Sequence, residues 1–354
     1  VPHGEPLYRR VGAGLIFPYD IEITRTYEVI VAKPVKLKSK IGTIRPLRVA
    51  EKTGHPIFES PVAADPLYET QWGRAIVGDS LEVMRSLPSE SIDLVMTSPP
   101  FALKRKKEYG NKEAHEYTAW FEPFALEVYR LLKPTGSFVI DIGGTWDVGQ
   151  PTRSLYQYEL LIRLCERFQF AQEFFWHNPA KLPSPAEWVT VRRIRVTDAV
   201  NTVWWLSKTA WPNADNRRVL RPYSESMKTL LKNGYKARLR PSGHDISQKF
   251  NKDLGGSIPH NLLQIPNTDS NGQYLRTCKE QGVKSHPARF PQALPDFFIR
   301  FLTDVGDLVL DPFAGSNVTG KAAEELRRYW LAIELREDYL AASQYRFSPQ
   351  LSLV

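Results

Sequence analysis

The sequence predicts an α/β fold, a parallel sheet with helices on both faces that carries an irregular basic insertion. Three observations predict it. Short apolar strands alternate with segments of helical apolar spacing. Two strands run straight into loops rich in proline or glycine, the places where open α/β sheets bind ligands. Between residues 209 and 285 regular periodicity gives way to Pro, Gly, Asn and Arg.

Residues 1–67 read as an N-terminal extension of mostly extended pieces, with a linker-like stretch from Gly54 to Asp65. A domain is expected over 68–354. Arg74–Asp79 is a short strand ending in Gly-Asp, and Ser80 is expected to cap a helix over Leu81–Leu87. Ile92–Thr97 is a buried strand. In 116–132, Trp120, Phe121, Phe124, Val128, Leu131 and Leu132 recur at helical spacing. Lys133–Gly136 reads as a turn, Ser137–Asp141 as the next strand, Leu155–Phe168 as a helix and Ala171–His177 as a strand. Val200–Leu206 is a further strand, in which Trp204 and Trp205 are read as core. Order returns with helix Pro295–Leu302, strand Asp307–Asp311, helix Asn317–Arg328, strand Trp330–Glu334 and helix Arg336–Tyr345.

The chain has 354 residues, 42% hydrophobic, with a net charge of +8. The charge is unevenly spread: residues 151–300 hold 23 Lys and Arg against 12 Asp and Glu, whereas 61–150 hold 9 against 13. A basic middle segment suits a surface that tracks phosphates, with double-stranded DNA as the expected partner. No apolar run is long enough for a membrane span, and the first residues lack the layout of a signal peptide. The two cysteines, Cys165 and Cys278, stand far apart and outside any metal-ligand spacing, so no metal is expected and a cytoplasmic setting fits.

Two constellations carry chemistry. In Asp311-Pro312-Phe313-Ala314-Gly315-Ser316-Asn317 a strand enters a glycine loop that opens a helix. A second strand then ends in Glu334, an acid placed to accept hydrogen bonds from ribose hydroxyls. The order strand–loop–helix–strand–acid points to a nucleoside cofactor, against the simpler reading of a capping turn and a surface Glu. The other is Thr97-Ser98-Pro99-Pro100-Phe101. Two prolines remove two N–H donors and leave carbonyls free as acceptors. An exocyclic amine is a poor nucleophile because its lone pair is conjugated into the ring. The Ser98 hydroxyl and the Pro99 carbonyl can hold its hydrogens and turn the lone pair toward a methyl donor. Phe101 supplies a face for a flipped base, worth roughly 1–3 kcal/mol. The bland alternative is a Pro-Pro turn with a core Phe.

Together these residues resemble the β-class amino DNA methyltransferases of type II restriction–modification systems, in which the catalytic motif precedes the cofactor loop. Ser-Pro-Pro-Phe is the form typical of cytosine-N4 enzymes; adenine-N6 enzymes mostly carry Asp or Asn in place of the Ser. The resemblance runs from about Ala75 to Phe347. It implies a Rossmann-like sheet of permuted motif order with a target-recognition region inserted at about 179–291. It also implies S-adenosylmethionine as cofactor, transfer to N4 of cytosine at a palindrome such as CAGCTG, and a cognate endonuclease acting on the same site without direct contact. Residue by residue, Asp79 would contact the cofactor adenine. Phe313, Gly315 and Glu334 would bind its adenosine part, and the block from His286 and Pro287 to Pro291 would flank its methionine part; Ser316 and Asn317 would also be cofactor-binding. Asn317 stands where many relatives have a second Gly, and Asn tolerates left-handed backbone. Ser98, Pro99, Pro100 and Phe101 would be catalytic. Asp141 would bond Ser98, unless it only caps the following loop; for His286 a satisfied hydrogen-bonding role is favoured over acid–base work.

Lys104 and Arg105, in the run Lys104–Lys107, are read as phosphate contacts or a solvated loop. Arg192, Arg193 and Arg195 are read as DNA contacts, or as partners of acids such as Glu187 and Asp198. The rival readings are an adenine-N6 methyltransferase on the same fold, a DNA-binding protein without catalysis, and a methyltransferase of protein or RNA.

Overall fold

A computed structural model describes residues 55–59, 64–102, 114–147, 149–234, 252–268 and 272–347. Its centre is a nine-stranded sheet in the order β1-β2-β9-β8-β3-β4-β6-β5-β7. The strands are β1 (Pro66–Glu69), β2 (Gly73–Val77), β3 (Ile92–Thr97), β4 (Leu132–Ile142), β5 (Gln169–His177), β6 (Val200–Ser207), β7 (Leu262–Gln264), β8 (Leu308–Asp311) and β9 (Tyr329–Glu334). The run β2-β9-β8-β3-β4 is parallel, as predicted. The sheet as a whole is mixed, because β1 pairs antiparallel with β2 and β6 runs against both β4 and β5.

Alternation along the buried strands separates two cores. Val95, Phe138 and Ile140 face one side and meet helices α1 (Ser80–Ser86), α2 (Tyr117–Leu131) and α3 (Tyr156–Leu164). Leu94, Met96 and Val139 face the other and meet α6 (Ala293–Leu302), α7 (Val318–Glu325) and α8 (Glu337–Ser343). Trp204 and Trp205 are core residues, one on each side, with their indole N–H groups donating to Glu173 and Ser137.

The structure corrects several expectations. Ser80 does not cap α1: the Asp79 carboxylate accepts from Leu81 N at 2.7 Å, and the Ser80 hydroxyl donates instead to the Pro312 carbonyl. Lys133–Gly136 is not a turn between elements but a bulge within β4, where the partners of Ile92 and Leu94 are Leu132 and Ser137. Between 209 and 285, where no element was expected, lie α4 (Glu225–Asn233), β7 and α5 (Gln273–Glu280). They are short, and β7 is specified by pairing with β5 rather than by its own pattern. In the linker-like stretch, Pro56–Phe58 form a 3-10 turn whose Ile57 is buried in the core, and β1 begins at Pro66, before the boundary expected at 68.

Candidate functional site

A cavity of about 670 Å³ opens at the C-terminal ends of the parallel strands, a volume typical of a ligand site. It is assembled from strand ends. Asp79 follows β2, Ser98 follows β3, Asp141 is the penultimate residue of β4, Asn178 follows β5, Pro312–Ser316 follow β8 and Glu334 ends β9. Asn201 enters from the antiparallel β6, whose start lies at the same edge.

At one end sit Ser98, Pro99, Pro100 and Phe101. The Ser98 hydroxyl donates to Asp141 Oδ2 at 3.0 Å, the bond expected from the sequence, and Asn201 donates to the other oxygen at 3.3 Å. Burial pushes the Asp141 carboxyl up to about 6, against these two hydrogen bonds. Because Ser98 donates to Asp141, its oxygen lone pairs stay available to accept from a ligand. The Phe101 ring lies against Gly143, where an added Cβ would come within 2.6 Å of it. Glycine at 143 is therefore what allows the ring to stand where it does.

At the other end the glycine loop is braced from below. Asp311 points away from the cavity, accepting from Thr97 and Thr319 at 2.7 Å each and from Phe313 N at 3.1 Å. Burial raises its carboxyl to about 6. Glu334 is 9% exposed; its oxygens accept from Gly315 N at 2.8 Å and Arg336 N at 3.0 Å, and burial raises its pKa. Each oxygen keeps a lone pair beyond its backbone bond, so the acid both fastens the loop and can still accept from a diol. Gly315 has φ of +53° and its missing side chain leaves room for the His286 ring, 3.2 Å from an ideal Cβ. Phe313, Ser316, His286 and Pro287 line the same region. His286 contacts the Ala288 carbonyl through Nδ1 and packs edge-on against Tyr339, which fits the hydrogen-bonding role. An acid at the end of β9, a second acid at Asp79 and an open glycine loop between them fit a nucleoside cofactor.

Asn317 is corrected. Its backbone is left-handed as expected, with φ 52°, but it is fully buried and outside the cavity. Its side chain accepts from Gly320 N at 3.0 Å and donates to the Tyr68 hydroxyl at 2.9 Å, so it caps α7 and ties β1 to the loop.

The arginine cluster divides. Arg192 pairs with Glu187 at 2.8 Å and lies over the Trp188 ring; Arg195 pairs with Asp198 at 2.9 Å. These are the acid partners considered as the alternative. Arg193 is exposed, with φ of +56°, and makes no ion pair with a described residue. Lys104 and Arg105 lie outside the described residues. Sequence reasoning missed Trp120, Trp176, Asn178, Lys181, Asn201 and Asn267, all in the cavity wall. A usable signal existed for Asn178 and Asn201, since the first residue past β5 and the second of β6 share the edge that holds Ser98.

Comparison with known proteins agrees with this geometry. The type II methyltransferase M.PvuII of Proteus hauseri is 58% identical over 287 residues, spanning 80% of this chain and 85% of that protein. M.ScaI of Streptomyces caespitosus is 29% identical over 279 residues, spanning 78% and 81%. The solved structure of PvuII DNA methyltransferase (cytosine-N4-specific) superimposes with a TM-score of 0.68 at 50% identity, covering 82% of this chain and 92% of that one. The DNA methylase family profile matches residues 92–345, a span that holds the Ser98–Asp141 pair, the glycine loop and Glu334. With the cavity, the motif order and the sheet in agreement, the chain belongs to the DNA methylase family of N6 and N4 methyltransferases.

Proposed function

We propose that this protein transfers a methyl group from S-adenosylmethionine to N4 of cytosine in duplex DNA. It would do so in the cytoplasm, as the modification enzyme of a type II restriction–modification pair. The observation that carries the reading is the Ser98–Asp141 hydrogen bond, 3.0 Å, in one cavity with Glu334 and the 312–316 loop. The likeness to M.PvuII supports cytosine N4 as the acceptor and a type II modification role; the reading further takes a palindrome such as CAGCTG as the site and a cognate endonuclease as the other half of the pair.

When bound, S-adenosylmethionine supplies a methyl group already activated by its sulfonium. The chain's own residues act on the amine. Ser98 Oγ and the Pro99 carbonyl accept its two hydrogens, turning the lone pair out of conjugation. As the C–N bond forms and the C–S bond breaks, positive charge grows on nitrogen, and the Asp141 carboxylate behind Ser98 stabilises it. The surplus proton passes to Ser98 Oγ while the Ser98 proton passes to Asp141 Oδ2. A carboxyl raised to about 6 takes that proton more readily than an exposed one and is still ionised at neutral pH. Phe101 stacks on the base, which must leave the duplex at a cost of a few kcal/mol. The basic region at about 179–291 is the target-recognition region, and Arg193, with Lys104 and Arg105, contacts phosphates.

Incubating duplex DNA with labelled cofactor and digesting to nucleosides tests the reading. N4-methylcytosine is the expected product. N6-methyladenine would replace it with the adenine reading, and no transfer would leave a DNA-binding protein.

A further inference from the structure

The cavity wall opposite Ser98 contains a donor whose other hydrogen-bonding groups are already engaged. Asn178 is half-buried and lines the cavity. Its backbone N–H donates to Ala199 O at 2.9 Å and its carbonyl accepts from Lys181 N at 3.1 Å. Its side-chain oxygen accepts twice, from Ala180 N and from Asn267 N, both at 3.1 Å. Two N–H donors converging on one atom settle which end of the amide is oxygen. The Nδ2 group makes no hydrogen bond to a described residue, and it belongs to a side chain on the cavity wall.

Its place in the sheet gives that donor a meaning. Ser98, Asp141, Asn201 and Asn178 stand at the edges of β3, β4, β6 and β5, which are consecutive in the sheet. Three strand spacings separate the backbones of Ser98 and Asn178, about 14 Å. Side chains reaching inward from both ends leave a gap on the scale of one pyrimidine edge with a hydrogen bond at each end. The amine-bearing edge of cytosine reads amine, ring nitrogen, carbonyl oxygen. The matching edge of adenine reads amine, ring nitrogen, C–H. With the amine held at Ser98 and Pro99, only cytosine presents a carbonyl acceptor at the far end.

We propose that Asn178 is a specificity residue: its amide N–H2 donates to the O2 carbonyl of the flipped cytosine and so selects cytosine over adenine. This rests on the cytosine-N4 reading above. A donor held against the bound base and facing a C–H is left unpaired, which is how a polar site rejects an analogue lacking one acceptor.

The test uses the full-length protein and two duplexes. One carries the target cytosine. The other replaces it with a 2-aminopyridine C-nucleoside, which keeps the amine and the ring nitrogen but has C–H for the carbonyl. The wild type should lose about tenfold or more in kcat/KM on the analogue. Asn178→Asp keeps the side-chain oxygen that holds Ala180 N and Asn267 N but removes the donor. It should lose about tenfold or more on cytosine, keep its cofactor affinity, and lose nothing further on the analogue. Wild-type activity on the analogue equal to that on cytosine would overturn the proposal, as would an undiminished analogue penalty in Asn178→Asp. The wild-type arm holds even if the variant fails to fold. Absence of N4-methylcytosine from the wild type on the cytosine duplex would instead reject the activity on which the proposal rests.

Discussion

Ser98 Oγ and Asp141 Oδ2 lie 3.0 Å apart, joined across two neighbouring parallel strands whose ends form the floor of one cavity. The bond directs the serine proton into the protein and its lone pairs toward the ligand, so a hydroxyl, itself a weak base, gains the backing of a buried carboxylate. Removing the hydroxyl should act on turnover and spare cofactor binding. Ser98→Ala is expected to lower kcat by about 100-fold or more, the scale of a lost general acid–base contact. Lost cofactor affinity with unchanged kcat would remove Ser98 from the chemistry.

Glu334→Ala should show the opposite split. It removes the ribose acceptor and also unfastens Gly315 N and Arg336 N, which the carboxylate holds at 2.8 and 3.0 Å. Cofactor affinity should fall by roughly 1.5–3 kcal/mol for each charge-assisted bond lost. Calorimetry with unaltered affinity would reject Glu334 as the ribose acid.

Asp141 links activity to pH and to stability with opposite signs. The reaction needs its anion, so kcat should decline as pH falls through about 6, the value to which burial raises it. For stability, the native carboxyl binds its proton more tightly than the unfolded chain, whose value is near 3.8. Its favourable contribution is therefore present below that value and lost as pH rises through about 6. Asp141→Asn should then be inactive yet at least as stable as the wild type at neutral pH, its advantage shrinking toward pH 4. Thermal melts of both proteins across this range measure it, and an advantage that grows on acidification would contradict the burial argument.

Gly143→Ala tests the placement of Phe101. The new Cβ would stand 2.6 Å from the ring, so the ring must shift. Turnover on DNA should fall while cofactor affinity holds. Wild-type kinetics in this variant would show that base stacking does not depend on where Phe101 stands.

The arginines should separate by salt dependence. Arg193 is free to meet phosphate, whereas Arg192 and Arg195 are engaged with Glu187 and Asp198. Arg193→Ala should reduce the slope of log affinity against log salt by about 0.9, with site preference retained. Arg192→Ala should change it less. Equal slopes for wild type and Arg193→Ala would place the phosphate contact elsewhere.

The parallel half of the sheet was legible in the sequence, because β2, β3, β8 and β9 are short, mainly apolar runs that end in Gly-Asp, Ser-Pro-Pro, Asp-Pro or an acid. Such runs are legible without a partner, since burial on both faces leaves few polar residues in them. Ser98 with Asp141, the glycine loop and Glu334 were legible for the same reason: each sits at or next to the end of a strand that can be recognised locally. The features that long-range packing set lie at the other edge and in the caps. β7 is three residues long and exists because β5 offers it a ladder. Asn317 reads as a loop ligand, yet its side chain turns inward to Gly320 and Tyr68, a residue 249 positions away. Asn178 has no motif at all; Ala180 and Asn267 orient it, and only the strand order sets it across the cavity from Ser98. Local pattern specifies which residues are buried in a strand. The direction of a polar side chain at its end depends on which backbone N–H groups the fold brings to it.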